Sequence, residues 1–400
     1  KRLHITVDGQ IYPYDSLFLR DACRCAACIH PSTQQKLFQT TDIPYEVRPQ
    51  TFEARKDGSV RIVWKNDLVT PQNPTGDKHE SVYDLEFLRR YSSLRNRVRA
   101  RFNDQRQILW DRKTMEKDVL FVEYEDYMKS DDALFKAVKQ LSLYGLMFIK
   151  GIPEGMSDAV EGMAERIGNL KNTFYGKTWD VKSIKDSKNI AYTSLNLGHH
   201  MDLLYFESPP GLQFLHCVQN TVTGGSSVFA DSFRAATLLR LNSPILFHAL
   251  TKFPVTYHYQ NDGEHYHLTR PTIVMDEYSY LDEKRISSVN WAPPFQAPFE
   301  VDVGTDLNSQ FRPYIIGASE FAKNVDEPGA QYELRLEEGV CAVFFNRRVL
   351  HSRREFDAES GDRWLKGAYV DIDAFNSKYR TLSQRFREER NKADDEYSYI

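Results

Sequence analysis

Two histidines and one aspartate, distant from each other in the chain, place the strongest constraint on its fold. His200-Met201-Asp202 is a His-x-Asp triplet, and His351 lies far downstream. Two imidazoles and one carboxylate are the ligands of facial sites that hold Fe(II) and leave positions open for oxygen chemistry. The triplet alone is a weak signal, because a lone His is usually a packed or surface residue. If the three residues share a metal, the fold must bring both segments into one cavity.

Predicted strands adjoin both halves of this metal site. Residues 212–218 read as a strand soon after Asp202, and residues 340–345 read as a strand just before His351. Two strands that deliver ligands into one cavity are typical of a barrel-like β-sandwich with an open mouth. Cys217 and Cys341 lie in these strands, and we expect both to be buried apolar side chains.

Arg363 follows His351 closely and has the chemistry to bind a co-substrate. A guanidinium group holds a carboxylate through two parallel hydrogen bonds. We therefore expect Arg363 to bind the remote carboxylate of a 2-oxoacid. Ser227, which follows Gly224-Gly225, is a second candidate for a contact to the co-substrate.

Three of the five cysteines, Cys23, Cys25 and Cys28, lie within six residues of one another. A disulfide framework would spread its cysteines along the chain, so this cluster favours a metal site. Structural zinc takes four tetrahedral ligands, and the fourth must come from elsewhere. His4, His30 and His79 are the candidates. We favour His79, because it lies in a polar loop, whereas His30 is too close to Cys28 for a tetrahedral wrap.

The pattern along the chain predicts two units, with an N-terminal zinc-binding domain at 1–100, a linker at 101–123 and a second domain at 124–400. Strands are predicted at 3–7 and 60–64, and a helix at 83–100. The second domain is predicted to have a strand at 145–149. It is also predicted to have helices at 131–142, 157–167, 233–250 and 376–392.

Charge and hydropathy exclude some partners. The chain has 52 basic and 56 acidic residues and a net charge of −4, which argues against a dedicated nucleic-acid binder. It has no apolar window long enough to span a membrane, so we expect no membrane partner. We expect a cytoplasmic protein, or one of the mitochondrial matrix if a transit peptide has been removed.

Aromatic residues are concentrated near the predicted metal ligands. Tyr175 and Trp179 lie in a polar loop, Tyr192 precedes His200, and Tyr369 follows Arg363. Each alone is more often a core residue. Together they can form a box around a quaternary ammonium ion, which has no hydrogen-bond donors and is attracted to ring faces by about 0.5–2 kcal/mol each.

These residues, together with the segments around them, match the pattern of a known family. The chain resembles the γ-butyrobetaine dioxygenase and trimethyllysine dioxygenase family, Fe(II)- and 2-oxoglutarate-dependent hydroxylases of carnitine biosynthesis. The resemblance covers nearly the whole chain. The segments that carry it are 19–28, 173–179, 191–193, 200–202, 210–213, 215–217, 223–225 and 348–354.

The resemblance implies a mainly β protein with flanking helices. Its catalytic domain would be a double-stranded β-helix, or jelly roll, joined to a small zinc-bearing N-terminal domain. By position, Asn189 matches a residue near the substrate carboxylate. Ascorbate is expected as reductant and a homodimer as the assembly, with dioxygen and a small betaine as substrates. The roles implied for the other residues are iron binding by His200, Asp202 and His351, zinc binding by Cys23, Cys25, Cys28 and His79, 2-oxoglutarate binding by Arg363, and a trimethylammonium cage of Tyr175, Trp179, Tyr192 and Tyr369.

The segment Asn290-Trp291-Ala292-Pro293 departs from the family pattern, in which adjacent asparagines help to hold the substrate carboxylate. γ-Butyrobetaine is therefore the expected substrate, and trimethyllysine or another betaine is the alternative. An acid near Asn189 or Asp180 would favour trimethyllysine, which carries an additional α-amino group. A non-catalytic quaternary-ammonium binder is disfavoured by the metal residues and Arg363. A zinc-dependent interaction module would explain only the cysteine cluster.

Overall fold

The computed structural model describes residues 1–70, 73–101, 107–182, 196–276, 285–301 and 310–397. The chain forms two compact units. The first covers Lys1–Asp104, and the second covers Gln105–Glu277 and Lys284–Ile400. No helix in the described ranges is both long enough and apolar enough to cross a bilayer.

The N-terminal unit combines two small antiparallel sheets with three helices. The hairpin β1–β2 forms one sheet, and β3, β4 and β5 form the other. Its core includes the buried side chains of Tyr14, Leu19, Ile62, Trp64 and Leu88. The elements are β1 (Arg2–Val7), β2 (Gln10–Asp15), α1 (Ser16–Asp21), β3 (Arg48–Ala54), β4 (Val60–Lys65), β5 (Glu80–Tyr83), α2 (Leu85–Tyr91) and α3 (Leu94–Arg101), with a 3-10 turn at Thr40–Asp42.

The helix predicted at 83–100 is two helices in the structure. Asp84 caps the start of α2 by accepting a hydrogen bond from the Phe87 amide at 2.7 Å. Ser92 ends α2, and the Ser92 hydroxyl donates to the Arg89 carbonyl oxygen at 2.9 Å. Serine side chains compete for backbone groups in this way and interrupt a helix that apolar periodicity alone would continue.

The second unit is a β-sandwich covered by helices. Its strands are β6 (Phe121–Glu123), β7 (Leu146–Lys150), β8 (Thr178–Lys182), β9 (Leu197–His200), β10 (Leu212–Asn220), β11 (Thr223–Gly224), β12 (Ser227–Asp231), β13 (Pro254–Asn261), β14 (Glu264–Pro271), β15 (Ile273–Met275), β16 (Ile286–Val289), β17 (Gln331–Leu334), β18 (Cys341–Phe345), β19 (Val349–Arg353), β20 (Phe356–Asp357) and β21 (Arg363–Val370). Its helices are α4 (Arg112–Asp118), α5 (Tyr124–Lys129), α6 (Asp131–Tyr144), α7 (Ala159–Glu165), α8 (Ser232–Asn242), α9 (Pro244–Lys252), α10 (Phe311–Asp326) and α11 (Ile372–Tyr397), with 3-10 turns at Pro293–Phe295 and Pro328–Ala330.

Two main sheets face each other across the core. The six-stranded sheet has the order β6-β7-β18-β10-β21-β8, and the four-stranded sheet has the order β17-β12-β19-β9. Phe229 on β12 contacts Phe148 on β7 and Phe344 on β18, with ring centroids 5.8 and 5.5 Å apart. The mainly β fold with flanking helices, built as a double-stranded β-helix, is therefore confirmed.

Side chains on each strand alternate between the inside of the sandwich and the helical layers, as a pleated strand requires. On β10, Leu212 and Phe214 pack into a cluster with residues of α6, α7 and α11. Cys217, on the opposite face of β10, packs between the sheets. This alternation decides which residues can reach the interior cavity.

The prediction of a linker at 101–123 is not matched by the structure from residue 107 onward, where α4 and β6 lie. Trp110 and Met115 are fully buried. The Trp110 indole donates to the carbonyl oxygen of Tyr144 at 2.7 Å. Charged residues outnumber apolar ones in the segment 101–123, so its composition did not reveal that Trp110 and Met115 are buried.

The helix predicted at 233–250 is also two helices. Pro244 occupies the first turn of α9, a position that tolerates proline because its missing N–H would have no helical partner. The C-terminal helix predicted at 376–392 is longer, since α11 runs from Ile372 to Tyr397.

A buried ion pair between Arg348 and Asp231 ties the segment before β19 to the end of β12. The two side chains are at most 1 % exposed, and two hydrogen bonds of 3.1 and 2.9 Å join them. Asp231 also accepts from the backbone amides of Trp110 and Phe233, each at 3.1 Å. Arg348 donates further to the Leu143 carbonyl oxygen at 2.8 Å. Protein groups thus supply hydrogen-bond partners for both the Arg348 guanidinium and the Asp231 carboxylate.

We predict that Asp231→Ala lowers the free energy of unfolding by about 3–5 kcal/mol, because it leaves the Arg348 charge buried without a partner. The matched control is Glu333→Ala, which breaks the exposed Arg354–Glu333 pair and should cost at most about 1 kcal/mol. Urea unfolding of both variants measures the difference. Equal losses would contradict the assigned role of the buried pair.

Candidate active site

His200, Asp202 and His351 meet inside the sandwich. Strands β9 and β19 are antiparallel neighbours, and His351 is paired with His200 in their register. The Oδ1 atom of Asp202 lies 3.4 Å from His200 Nε2 and 3.8 Å from His351 Nε2. All three ligand atoms lie within 4.8 Å of one another. The donor set fits a two-histidine, one-carboxylate iron site.

Hydrogen bonding orients one of the imidazoles. His200 Nδ1 lies 2.9 Å from the carbonyl oxygen of Gly198, so Nδ1 carries the proton and donates. The Nε2 lone pair then faces Asp202, as metal-binding histidines require. Burial, reinforced by the neighbouring His200, lowers the pKa of His351 to about 3, so His351 is neutral and able to ligate.

The aspartate is held from two sides. The Asn346 side chain accepts from the Asp202 amide at 2.8 Å and donates to the Asp202 carbonyl oxygen at 2.9 Å. The Tyr369 hydroxyl donates to Asp202 Oδ2 at 2.6 Å. Burial alone would raise the pKa of Asp202, but contacts with His200, His351 and Tyr369 lower it well below its ordinary value. The carboxylate therefore carries a negative charge that suits a divalent cation.

Arg363 is a buried cation that lacks a counter-ion among the described residues. It is 6 % exposed, its Nε has no hydrogen-bond partner, and none of the described acidic groups forms an ion pair with it. Burial lowers its pKa to about 10, which still leaves it charged at neutral pH. Ser227 lines the same cavity, and so does a second buried arginine, Arg353. This end of the cavity therefore fits an anionic ligand such as a dicarboxylate.

The other end of the cavity has an aromatic wall. Trp179 stacks on Tyr369 with ring centroids 3.9 Å apart, and Tyr175 also lines the cavity. The indole of Trp179 lies directly over Gly367, where an added Cβ would come within 2.3 Å of the ring. Glycine at this position is what lets the indole lie flat on β21. Asn189 and Tyr192, also predicted to contact the substrate, lie outside the described residues.

Four further residues belong to the site and were not predicted from the sequence. Tyr205 and Phe295 add to the aromatic lining, and Asn346 holds Asp202. Gln213 lines the cavity at 2 % exposure, and its side-chain oxygen has no hydrogen-bond partner in the described chain. Only the position of Gln213, on a strand adjoining the triplet, was a usable signal. Asn346 lies far from Asp202 in sequence, and only the fold brings them together.

The four predicted zinc ligands converge in the N-terminal unit. His79 Nε2 lies 3.3 Å from Cys23 Sγ, 3.8 Å from Cys25 Sγ and 3.5 Å from Cys28 Sγ. Tetrahedral zinc, with bonds of about 2.0–2.3 Å, has ligand-to-ligand edges of roughly 3.5–3.8 Å. The cluster can therefore hold zinc. His30 lies outside it, with Nδ1 accepting from the Thr33 amide at 3.2 Å.

A buried charge network surrounds the cysteine cluster. Arg20 donates to Cys28 Sγ at 3.3 Å and to Asp67 Oδ1 at 2.7 Å. Asp67 Oδ2 faces His79 Nδ1 at 3.9 Å, which fits the carboxylate support common behind metal-binding histidines. Hydrogen bonds from Cys28 and His79 lower the pKa of Cys23. Cys23 therefore favours thiolate, the form that binds metal. Burial raises the pKa of Cys25, and the hydrogen bond with Cys23 raises the pKa of Cys28.

Two protein-family models match the chain, and both are consistent with the metal residues described above. The model of the taurine catabolism dioxygenase TauD, TfdA family matches residues 113–369, and a γ-butyrobetaine hydroxylase-like N-terminal model matches residues 1–71. The fold and the site define a 2-oxoglutarate-dependent dioxygenase. The chain belongs to the TauD, TfdA family of these enzymes.

Several relatives match nearly the full length of the chain. Dioxygenase str8 of Strobilurus tenacellus is 40% identical, over 95% of this chain and 87% of that protein. Gamma-butyrobetaine dioxygenase of Pseudomonas sp. (strain AK-1) is 32% identical, over 94% and 92%. Trimethyllysine dioxygenase of Meyerozyma guilliermondii is 27% identical, over 94% and 92%. The resemblance to the γ-butyrobetaine and trimethyllysine enzymes is therefore confirmed.

We predict that Arg363→Lys raises the KM for 2-oxoglutarate roughly tenfold or more and leaves the KM of the organic substrate almost unchanged. Lysine keeps the charge but loses the planar fork, and a hydrogen bond to a charged group contributes about 1.5–3 kcal/mol. The control is Arg354→Lys, because Arg354 pairs with Glu333 near the surface. Steady-state kinetics with each substrate varied would contradict the assignment if only the organic substrate's KM rose.

We predict that Cys25→Ser reduces zinc well below one ion per chain and lowers the unfolding temperature of the N-terminal unit by at least about 5 °C. Zinc that links four side chains contributes directly to folding. Cys217→Ser, at a buried thiol of the second unit, is the control and should leave the zinc content unchanged. Metal analysis of both variants makes the measurement, and folded wild type without zinc would contradict the claim.

Proposed function

We propose that this enzyme hydroxylates a small trimethylammonium compound and that this compound is γ-butyrobetaine, which would give L-carnitine. One observation carries the proposal, namely that the aromatic wall adjoins the metal ligands. The Tyr369 ring stacks on Trp179, and its hydroxyl bonds Asp202 at 2.6 Å. A cation held against this wall lies beside the metal site, so a carbon near its charged end can be oxidised.

The composition of the wall suits a cation that cannot donate hydrogen bonds. Six aromatic side chains line the cavity, and Asp202 is the only acidic residue among the described lining residues. Because Asp202 is committed to the metal, a cationic substrate is left with ring faces as partners. The lining aromatic residues are Tyr175, Trp179, Tyr205, Phe229, Phe295 and Tyr369.

The metal residues, the co-substrate residues and the aromatic wall then have different roles in the reaction. His200, Asp202 and His351 would hold Fe(II), which with 2-oxoglutarate and dioxygen supplies the oxidation and yields succinate, CO2 and hydroxylated product. Arg363 fixes the remote carboxylate of 2-oxoglutarate, and Ser227 is a further candidate contact. The aromatic wall positions the substrate and excludes water, which is where the protein itself contributes to the rate.

The contacts of Asn290 bear on which betaine is the substrate. Asn290, the remaining asparagine of the altered segment, is fully buried and donates to the Pro271 carbonyl oxygen at 2.6 Å. Its side-chain oxygen accepts from Arg347, also at 2.6 Å. With its amide committed in this way, Asn290 is poorly placed to hold a substrate carboxylate. This supports keeping other betaines as the alternative to γ-butyrobetaine.

Trimethyllysine finds less support among the described residues. Its α-amino group calls for an acid near Asn189, which lies outside the described residues, or near Asp180. Asp180 instead accepts from the Trp364 indole at 2.6 Å and does not line the cavity. The proposal also carries three expectations from the resemblance, which are ascorbate as reductant, a homodimer, and a cytoplasmic or mitochondrial matrix location.

Product analysis tests the substrate directly. Enzyme with Fe(II), 2-oxoglutarate and ascorbate is incubated separately with γ-butyrobetaine, trimethyllysine and shorter and longer betaines. Mass spectrometry should show one added oxygen on γ-butyrobetaine or a close betaine. Absence of an added oxygen on every one of these trimethylammonium compounds would overturn the proposal.

Recognition of charge gives a sharper prediction. A neutral analogue with tert-butyl in place of trimethylammonium should bind at least about tenfold more weakly, since losing several cation–π contacts costs more than roughly 1.4 kcal/mol. Trp179→Leu should narrow this gap. Trp364→Leu, the same change at a residue outside the cavity lining, should preserve the gap. Calorimetric titration makes the comparison, and equal wild-type affinities for the two analogues would show that the aromatics recognise shape alone.

A further inference from the structure

Tyr369 lies at the boundary between the metal ligands and the aromatic wall. The side chain is 2 % exposed, and its ring stacks on Trp179 at 3.9 Å with an interplanar angle of 23°. Its hydroxyl reaches the other way and donates to Asp202 Oδ2 at 2.6 Å. One residue on β21 therefore belongs to both parts of the site.

The hydroxyl distinguishes the two oxygens of the carboxylate. Oδ2 is occupied by Tyr369, whereas Oδ1 is the atom that faces His200 Nε2 at 3.4 Å and His351 Nε2 at 3.8 Å. A buried carboxylate without this donor can rotate about its last bond and offer either oxygen, or both, to a metal. The contact from Tyr369 removes that freedom and leaves one oxygen directed at the imidazoles.

The backbone of Asp202 is fixed separately. Asn346 bonds both the amide and the carbonyl group of Asp202, so the main chain is held whether or not Tyr369 is present. Asn346 is itself fully buried and also donates to the Pro210 carbonyl oxygen at 3.3 Å. Loss of the Tyr369 hydroxyl should therefore release the carboxylate group alone, which makes its contribution separable by mutation.

We propose that Tyr369 is a positioning residue for the metal-binding carboxylate of Asp202, acting through its hydroxyl, while its ring forms part of the substrate wall. The substrate half of this statement rests on the proposed function, and the metal half does not. Groups that support a metal ligand in this way typically change metal affinity about 10–100-fold when they are removed. The two roles use different atoms, so one variant can remove the first and keep the second.

Tyr369→Phe is that variant, because it deletes only the hydroxyl. The probe is Mn(II), which prefers carboxylate and imidazole to the thiolates of the cysteine cluster. Electron paramagnetic resonance of free Mn(II), in zinc-loaded protein without organic substrate, should show affinity at least about tenfold weaker than in wild type. Calorimetric titration of γ-butyrobetaine into the Mn-free variant should give the wild-type affinity, since the ring remains.

Tyr175→Phe is the matched control. It removes another phenol that lines the cavity, one whose partner is Tyr205. Its Mn(II) affinity should equal that of wild type. The proposal is overturned if Tyr369→Phe binds Mn(II) as tightly as wild type, if Tyr175→Phe weakens Mn(II) equally, or if Tyr369→Phe loses betaine and Mn(II) affinity together. Wild type that binds no betaine would remove the substrate assignment, and the Mn(II) comparison would still decide the role of the hydroxyl.

Discussion

The pairing of β9 with β19 is the contact on which the site depends. It sets His351 opposite His200 and leaves the Asp202 carboxylate facing both imidazoles. The two chain segments are distant in sequence, so only the closed sandwich can hold this register. β12 lies on the other side of β19, and its Phe229 packs against the facing sheet. Two of the three candidate metal ligands, His200 and His351, are thus carried by paired strands, and Asp202 lies in the turn directly after β9.

Two buried arginines differ in whether the protein itself supplies an acidic partner. Arg348 is paired with Asp231, and further hydrogen bonds to backbone carbonyl groups complete its environment. Arg363 is also buried but has no acidic partner among the described residues. Burying a charge without a partner costs free energy. An anion bound to the Arg363 guanidinium would offset this cost. We propose that this anion is 2-oxoglutarate, the co-substrate of this family of dioxygenases.

The sequence predicted those parts of the molecule whose chemistry is local. The cysteine cluster, the His-x-Asp triplet and the strands beside Asp202 and His351 could all be predicted because neighbouring residues define them. The segment 101–123, which includes the N-terminal end of the second unit, was predicted as a linker because charged residues outnumber apolar ones there, although Trp110 and Met115 are buried. Serine and proline divided two predicted helices at points that apolar spacing does not reveal.

Residues that act through tertiary contacts could not be predicted in this way. Asn346 was missed because its partner, Asp202, is far away in the chain, and the hydroxyl contact of Tyr369 was missed for the same reason. Tyr205 resembles an ordinary core tyrosine until the cavity is seen. The sequence pattern therefore predicted the candidate metal ligands, and the fold showed which residues hold Asp202 in place.

The most direct test of the account is to follow both atoms of labelled dioxygen. Enzyme loaded with Fe(II) turns over 2-oxoglutarate and γ-butyrobetaine under ¹⁸O2, and the products are weighed by mass spectrometry. The account predicts one labelled atom in succinate and one in the hydroxyl group of the betaine product, in equal amounts. Succinate formed without any labelled hydroxylated betaine, whichever betaine is supplied, would contradict the central claim.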